Sequence, residues 1–120
     1  MIKKLILKHI PAKGYIALTQ YPFIFIREEL KAFYNARVDN HEHIHVWQQI
    51  ELGGIPLLFD LLYGLFYVIL LCLYRNHSDA YRNNPFEQEA YANDMNPDYL
   101  KTRRAYAWIH YIFKRPYRSS

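Results

Sequence analysis

The apolar segment from Gly53 to Tyr74 constrains the fold of this chain more than any other feature, because Asp60 is its only charged residue. A helix of about 20 apolar residues is long enough to cross the hydrocarbon core of a bilayer. Gly64 permits a bend near the middle, and Asp60 disfavours a position at the bilayer centre. The segment is therefore a buried core helix, a re-entrant or monotopic membrane hairpin, or an exposed apolar surface that docks on a partner.

The composition predicts a single folded domain over residues 1–120. Hydrophobic residues make up 52% of the chain, and this excludes intrinsic disorder because a disordered chain needs low hydrophobicity and high charge. Cys72 is the only cysteine, so an intramolecular disulfide and a cysteine-based zinc ribbon are both excluded. A lone cysteine in an apolar run slightly favours a reducing compartment.

The formal net charge of +4 comes from basic residues concentrated near the two ends of the chain. These residues are Lys3, Lys4, Lys8 and Lys13, then Lys101, Arg103, Arg104, Lys114, Arg115 and Arg118. They form no dense run and no nucleic-acid motif, so we expect no nucleic acid partner but a solvated basic surface or an anionic membrane. The N-terminus lacks the apolar region and cleavage site of a signal peptide, which predicts a cytoplasmic or membrane-associated protein.

The N-terminal third of the chain predicts short strands. Residues 4–10 are expected to form a strand or a helical turn. The stretch 15–27 is rich in aromatic and β-branched residues, which predicts a hairpin or two short strands. Pro22 cannot donate to a strand ladder, so it marks an edge or the break between two strands. Residues 28–35 are expected to form a helical turn or a loop.

A helix is predicted to follow, beginning near His41. Asp39 or Asn40 is expected to cap it, because a short polar side chain can accept a hydrogen bond from a free N–H of the first turn. Gly53 and Gly54 are expected to end it, since glycine readily adopts the left-handed conformation at a helix C-terminus.

The C-terminal part predicts a polar loop at residues 75–84 and a helix that starts at Pro85 and is broken by Asn96-Pro97. Apolar residues at helical spacing then predict a last helix over residues 98–114, ended by Pro116 and followed by a loose tail. Together these elements predict an α+β fold that is mainly helical, with short N-terminal strands and about four helices.

His41, Glu42 and His45 form an H-E-x-x-H match on the predicted helix. Residues four apart lie on one face of a helix, so the two imidazoles can bind one zinc ion. Zinc lowers the pKa of a bound water, and the Glu42 carboxylate can take its proton during attack on a carbonyl. His43 points away from this face, and the alternative interpretation is a solvated, histidine-rich helix start.

Catalytic zinc usually has a third protein ligand and one open position. His77 and His110 are candidates, but lone histidines are more often surface or core residues. Glu87 and Glu89, on the next predicted helix, are better candidates. They face about 200° apart on a helix, so only one of them can reach the metal well.

These motifs resemble gluzincin-type metallopeptidase domains, in which an H-E-x-x-H helix is followed downstream by a glutamate ligand. The chain is still more similar to a group of short bacterial proteins with H-E-x-x-H-V-x-Q, a Gly-Pro apolar segment and an N-P-F-E-x-E-A-Y motif. The matching residues, all within about residues 39–95, are His41, Glu42, His45, Val46, Gln48 or Gln49, Gly54, Pro56 and Tyr81 through Tyr91. The N-terminal strands and the last helix are not covered.

The resemblance implies a minimal zincin-like domain that binds Zn2+ and hydrolyses peptide bonds in a peptide or protein substrate. It favours Glu87 as the third ligand, because Ala90 follows three positions later. Tyr91 then departs from the acid or amide expected next. A thermolysin-like alternative makes Glu89 the ligand, with Asn93 four residues on.

Several alternatives stay open. The metal site can belong to a non-catalytic membrane-associated or protein-interaction module, in which His43 or His77 closes the site, or the motif can be accidental in a small membrane protein. Gln48 and Gln49 can contact substrate, support the ligands or face solvent. Tyr81, Tyr91 and His77 are candidates for stabilising an oxyanion. A homo-oligomer is expected from the apolar composition.

The metal hypothesis also constrains the apolar segment. A straight span would place His45 and Glu87 on opposite sides of a bilayer. A shared metal site therefore requires the chain to double back between them.

Overall fold

The computed structural model describes residues 2–113, and it shows the predicted α+β fold that is mainly helical. Within these residues, short strands form one mixed sheet in the order β1-β3-β2. The strands are β1 (Lys3–Leu7), β2 (Ala17–Gln20) and β3 (Phe23–Arg27). The antiparallel pair β2–β3 confirms the predicted hairpin, whereas β1 pairs parallel to β3.

The hairpin turn and the inner face of β3 follow from the sequence. Pro22 lies in the turn between β2 and β3, where its missing N–H removes no ladder hydrogen bond. Ile24 and Ile26 are two residues apart on β3 and therefore face the same side of the sheet. Both are buried against Val46, and this contact forms the core between the sheet and the first long helix.

That helix, α1 (Ala36–Glu51), follows a short 3₁₀ helix (Glu28–Phe33) and begins earlier than the predicted start near His41. Its N-cap is Asn35, whose side chain accepts a hydrogen bond of 3.0 Å from the backbone N–H of Val38. This contact satisfies one of the free donors of the first turn.

The predicted cap at Asp39 or Asn40 is wrong, because both side chains make contacts with other parts of the molecule. Asp39 accepts a hydrogen bond from Tyr34 and pairs with Lys4. Asn40 donates to the backbone carbonyl of Asp94 at 3.0 Å. These residues fasten α1 to its neighbours rather than starting it.

Gly53 and Gly54 end α1 as predicted, with φ angles of +84° and +70°. The ring of Tyr21, from the turn between β2 and β3, packs beside Gly54. Helix α2 (Pro56–Tyr74) starts directly after this turn, with proline in its first turn.

Helix α2 runs through Gly64 without interruption, and Phe59 is the only buried residue of this fully described helix. By length and composition it could cross a membrane: one 18-residue window has a mean hydropathy of 2.2, and 6% of that window is buried. The core-helix alternative is therefore wrong, and the unbroken helix also argues against a hairpin within it. The remaining alternative is an exposed apolar surface.

The polar stretch 75–84, predicted to be a loop, instead contains α3 (His77–Asn83), which is capped by the side chain of Asn76. Helix α3 packs back along α2. At its end the Asn84 side chain donates to the Tyr63 carbonyl at 3.1 Å. The chain therefore doubles back after α2, as a shared metal site requires.

Helix α4 (Pro85–Asn93) begins at Pro85 and ends before Asn96-Pro97, as predicted. The predicted single helix over residues 98–114 is wrong: α5 (Tyr99–Thr102) ends at Arg103, and a 3₁₀ helix (Ala107–Phe113) follows. The expected stop at Pro116 and the tail lie outside the described residues.

Arg103 provides the physical reason for this break. Its backbone is extended, and its guanidinium reaches inward to the carboxylates of Glu51 and Glu89. A regular helix would not aim this side chain at both partners. A second core cluster, made of Phe59, Phe86 and Trp108, then joins α2, α4 and the C-terminal 3₁₀ helix.

Candidate metal centre

His41 and His45 lie one turn apart on the buried face of α1, with ring centroids 4.9 Å apart. This arrangement follows from the four-residue spacing, because such residues share one face of a helix. Asn35 and the glycine pair bound the helix, and its contacts with β2 and α4 exclude solvent from this face.

Glu87, in the first turn of α4, brings a carboxylate to the two imidazoles. Its Oε1 atom is 3.1 Å from Nε2 of His41 and 3.1 Å from Nε2 of His45. One ligand atom from each residue lies within 4.8 Å of the other two, and all three residues are buried. The arrangement is a group that could hold a metal ion.

Oxygen acceptors bond to both imidazole rings at Nδ1, the nitrogen that does not face Glu87. Nδ1 of His41 donates to Asp94 at 2.9 Å, and Nδ1 of His45 donates to Gln48 Oε1 at 2.7 Å. A carboxylate or amide oxygen can only accept here, so each Nδ1 carries a hydrogen and each Nε2 faces Glu87. Such partners typically fix the orientation of metal-binding histidines.

Sequence reasoning missed Asp94 as a partner of His41. The family pattern expects an acid or an amide directly after Ala90, and this chain has Tyr91 at that position. Asp94 lies seven residues after Glu87, which is two helical turns and the same face. This spacing was the available signal. Tyr91 has a different role, since its ring packs edge-on against His41 with centroids 4.6 Å apart.

Sequence reasoning also missed Tyr63. Its hydroxyl donates to Oε2 of Glu87 at 2.7 Å, so the two oxygens of Glu87 have separate partners. Burial and the charge of Glu87 raise the pKa of Tyr63, so this hydroxyl stays protonated and remains a donor. Nothing in the sequence distinguishes Tyr63 from the other tyrosines of the apolar segment.

Glu89, the alternative third ligand, lies outside this group. It is fully buried, and its carboxylate accepts from Tyr99 at 2.6 Å and from Gln48 at 3.0 Å. Arg103 neutralises its charge at 2.5 Å. The two glutamates therefore have separate tasks, because residues two apart on a helix point in different directions.

The charges of the group depend strongly on one another. Burial alone would raise the pKa of Glu87, but the charge and hydrogen bonds of His45 and His41 outweigh it and lower that pKa. Burial alone would lower the pKa of His45, but Glu87 outweighs it and raises that pKa to about 9. A raised pKa favours a protonated His45 imidazole that pairs with the Glu87 carboxylate.

Glu42 faces the same cavity as the three residues of the group. The hydroxyl of Thr19, on β2, donates to Oε1 of Glu42 at 2.8 Å and so fixes the carboxylate. The cavity has a volume of about 440 Å³, and its walls are mainly apolar and aromatic, including Leu18, Phe59, Tyr67 and Tyr81.

The other candidate histidines, His43, His77 and His110, lie outside the group formed by His41, His45 and Glu87. His43 bonds to the carbonyl of Asp39, and His110 is exposed outside the group. His77 lines the cavity but bonds to Tyr67 at 2.8 Å and, more weakly, to Tyr15 at 3.4 Å.

Gln48 and Gln49 are fully buried, which excludes a solvent-facing role for either residue. Gln48 supports His45, whereas Gln49 donates to the Thr19 carbonyl and accepts from the Tyr21 N–H, so that α1 is tied to the hairpin. Of the expected oxyanion donors, Tyr81 lines the cavity and bonds to Tyr91 at 3.2 Å.

Comparisons with family models, with curated proteins and with solved structures found no match for this chain. The case for a metal centre therefore depends on the geometry of the described residues. Two imidazoles and a carboxylate form a donor set that suits Zn2+ and other divalent transition metals.

Proposed function

We propose that this chain is a zinc-dependent metallopeptidase, in which His41, His45 and Glu87 hold the metal and Glu42 is the general base. The observation that carries the proposal is the convergence of three buried ligand atoms beside a cavity that Glu42 also lines. The resemblance to gluzincin-type domains supplies the peptide bond as the substrate class.

Each residue has a chemical role in this proposal. When bound, a zinc ion would polarise the substrate carbonyl and lower the pKa of water beside it. Thr19 occupies Oε1 of Glu42, so we assign Oε2 as the atom that takes the proton from the attacking water. Glu42 then delivers this proton to the leaving amine nitrogen.

Asp94, Gln48 and Tyr63 act through the ligands. They hold the Nδ1 atoms of the two imidazoles and the second oxygen of Glu87, so the ligand atoms are aligned before a metal binds. Such prior alignment lowers the cost of organising a site when its metal arrives.

A non-catalytic module with a closed metal site is the competing function. It needs a fourth protein ligand, for which His43 and His77 are the candidates. In the part of the chain that the structure describes, both histidines bond elsewhere and neither belongs to the group. The adjoining cavity favours a site with one open position, which is the arrangement of catalytic zinc.

The test combines metal content with hydrolysis. We expect one zinc per chain after metal-replete purification, measured by mass spectrometry, and cleavage of a mixed peptide library. Glu42→Gln should keep the zinc and lose about 10²–10⁴-fold in turnover, which is the usual contribution of a general base. His45→Ala should lose the metal.

His43→Ala is the matched control, since it removes a histidine from the same helix but from outside the group. It should keep both zinc and activity. A wild-type chain without zinc would contradict the proposal, and so would full peptidase activity in Glu42→Gln. Zinc that survives in His45→Ala would show that the ligands are wrong.

A further inference from the structure

Helix α2 separates two kinds of apolar side chain on opposite faces. Its aromatic residues turn inward, where Phe59, Tyr63 and Phe66 pack in the core cluster around Phe86. Leu62 joins this cluster, whereas most of the other aliphatic residues turn outward, with exposed fractions between 36% and 71%. We call this outward set the α2 ridge: Leu57, Leu58, Leu61, Leu65, Val68, Ile69, Leu71 and Leu73.

A helix on the surface of a water-soluble domain normally turns polar residues outward. The α2 ridge has none, and the exposed Cys72 only extends its apolar character. Asp60, the one charged residue of α2, is exposed on the side of the helix that lines the cavity, away from the ridge, and accepts a hydrogen bond from Gln20 at 2.9 Å. An apolar strip that runs the length of a 19-residue helix therefore has no partner within the described residues.

We propose that the α2 ridge lies in the plane of an anionic lipid bilayer, with its aliphatic side chains among the acyl chains and the rest of the domain above them. The ridge chemistry fits this occupant. Protein interfaces are enriched in tyrosine, tryptophan, methionine and arginine, and the ridge contains none of these.

An exposed cation at the C-terminal end of α2 and the net charge of the chain complement an anionic surface. Arg75 follows the helix directly. Each basic residue near an anionic bilayer adds to the attraction, and the formal charge of the chain is +4.

An in-plane position fits the structure better than a crossing. Helix α3 packs along α2 with exposed polar residues such as His77 and Ser78, which would enter the hydrocarbon if α2 crossed the bilayer. His45, before α2, and Glu87, after it, also meet at one site. In the plane, the ridge is immersed while the candidate metal centre stays in the part of the domain above the bilayer.

Flotation with vesicles tests the docking. The full chain is mixed with vesicles of equimolar phosphatidylcholine and phosphatidylglycerol, and we expect it to float with them and to float less with phosphatidylcholine alone. Leu61→Glu with Leu65→Glu should lower the partition coefficient about tenfold for each side chain removed from the acyl region. Phe33→Glu, at a similarly exposed apolar residue away from α2, should bind as the wild type does.

Zinc content and circular dichroism of each variant show whether it folds, so a failure to bind lipid is separated from a failure of the metal site. The docking does not depend on the proposed peptidase activity. Equal flotation of the wild type and the ridge variant would overturn the proposal. So would a wild type that does not float but forms dimers which the ridge variant disrupts, because a second copy would then cover the ridge.

Cys72 offers a direct measure of depth, since it is the only cysteine and is exposed beside the ridge. An environment-sensitive dye on Cys72 should shift its emission to the blue when vesicles are added. The same dye on Ser78→Cys, in a Cys72→Ser background, should stay in water. A blue shift at both positions, or at neither, would overturn the in-plane arrangement.

Discussion

At the residue scale, Glu87 and Glu89 show how neighbouring carboxylates on one helix acquire different chemistry. Glu87 faces two imidazoles and the Tyr63 hydroxyl, whereas Glu89 faces the Arg103 guanidinium. Removal of either partner of a buried pair leaves an uncompensated charge, which is costly. Substitution of Glu89 should therefore destabilise the fold and leave the candidate ligands in place, whereas substitution of Glu87 removes a candidate ligand and also the buried partner of His45.

His45 makes the stability of the metal-free protein depend on pH. Its folded pKa of about 9 lies above the ordinary value of 6.5, so protonation stabilises the folded state. This contribution is complete below pH 6.5 and is lost as the pH rises to 9. We expect the urea midpoint of the metal-free chain to fall across this interval, and to fall less in His45→Gln.

Zinc should reverse this dependence, because a metal ligand must be a neutral imidazole and protons compete with the ion. The zinc-loaded protein should therefore become less stable as the pH falls. The same urea titrations in the presence of zinc provide the comparison. An identical pH dependence with and without zinc would contradict the assignment of His45 as a ligand.

At the element scale, α1 shows why the site could be predicted although the start of its helix could not. The helix begins at Ala36 rather than near His41. A helix that starts earlier keeps the same angle between residues, so His41 and His45 still share a face. The N-cap residue could not be predicted in the same way. Several short polar side chains near the helix start can accept the capping hydrogen bond, and their tertiary contacts decide which of them does so.

Asn35→Ala should destabilise the protein by about 1 kcal/mol, because it removes the acceptor for the Val38 N–H. Asn35→Asp keeps an acceptor and should have little effect. Chemical denaturation of the three proteins provides the measurement. An unchanged free energy of unfolding in Asn35→Ala would show that the cap does not stabilise α1.

At the scale of the whole molecule, the candidate metal centre joins distant parts of the chain. His41 and Glu87 are 46 positions apart, and α2 and α3 lie between them. The return of α3 along α2 brings α4 against α1. A metal bound there would link α1 to α4 and so stabilise the folded state relative to the unfolded chain.

Zinc should therefore stabilise the chain against heat. Free zinc at about a hundred times its dissociation constant would add about 2.7 kcal/mol, provided that only the folded state binds it. Melting curves with zinc and with a chelator measure the difference. The control is His45→Ala, whose curve should not respond to zinc. An equal response in wild type and variant would place the ion elsewhere.

Local spacing in the sequence was enough to predict the short strands on either side of Pro22, the end of α1 at Gly53-Gly54, the start of α4 at Pro85, and the shared face of His41 and His45. Backbone restrictions and helical periodicity act within a few residues, so they can be predicted from the order of residue types along the chain.

Contacts between distant residues depend on how the helices pack, so the sequence did not predict them. The tertiary structure places Asp94 and Tyr63 beside the candidate ligands, breaks the C-terminal helix at Arg103, and leaves the α2 ridge exposed rather than buried. The same apolar sequence is compatible with a protein core and with a bilayer, so composition does not distinguish the two environments. Its surroundings depend on how α3 and α4 return along the chain, because burial is a property of the packed molecule.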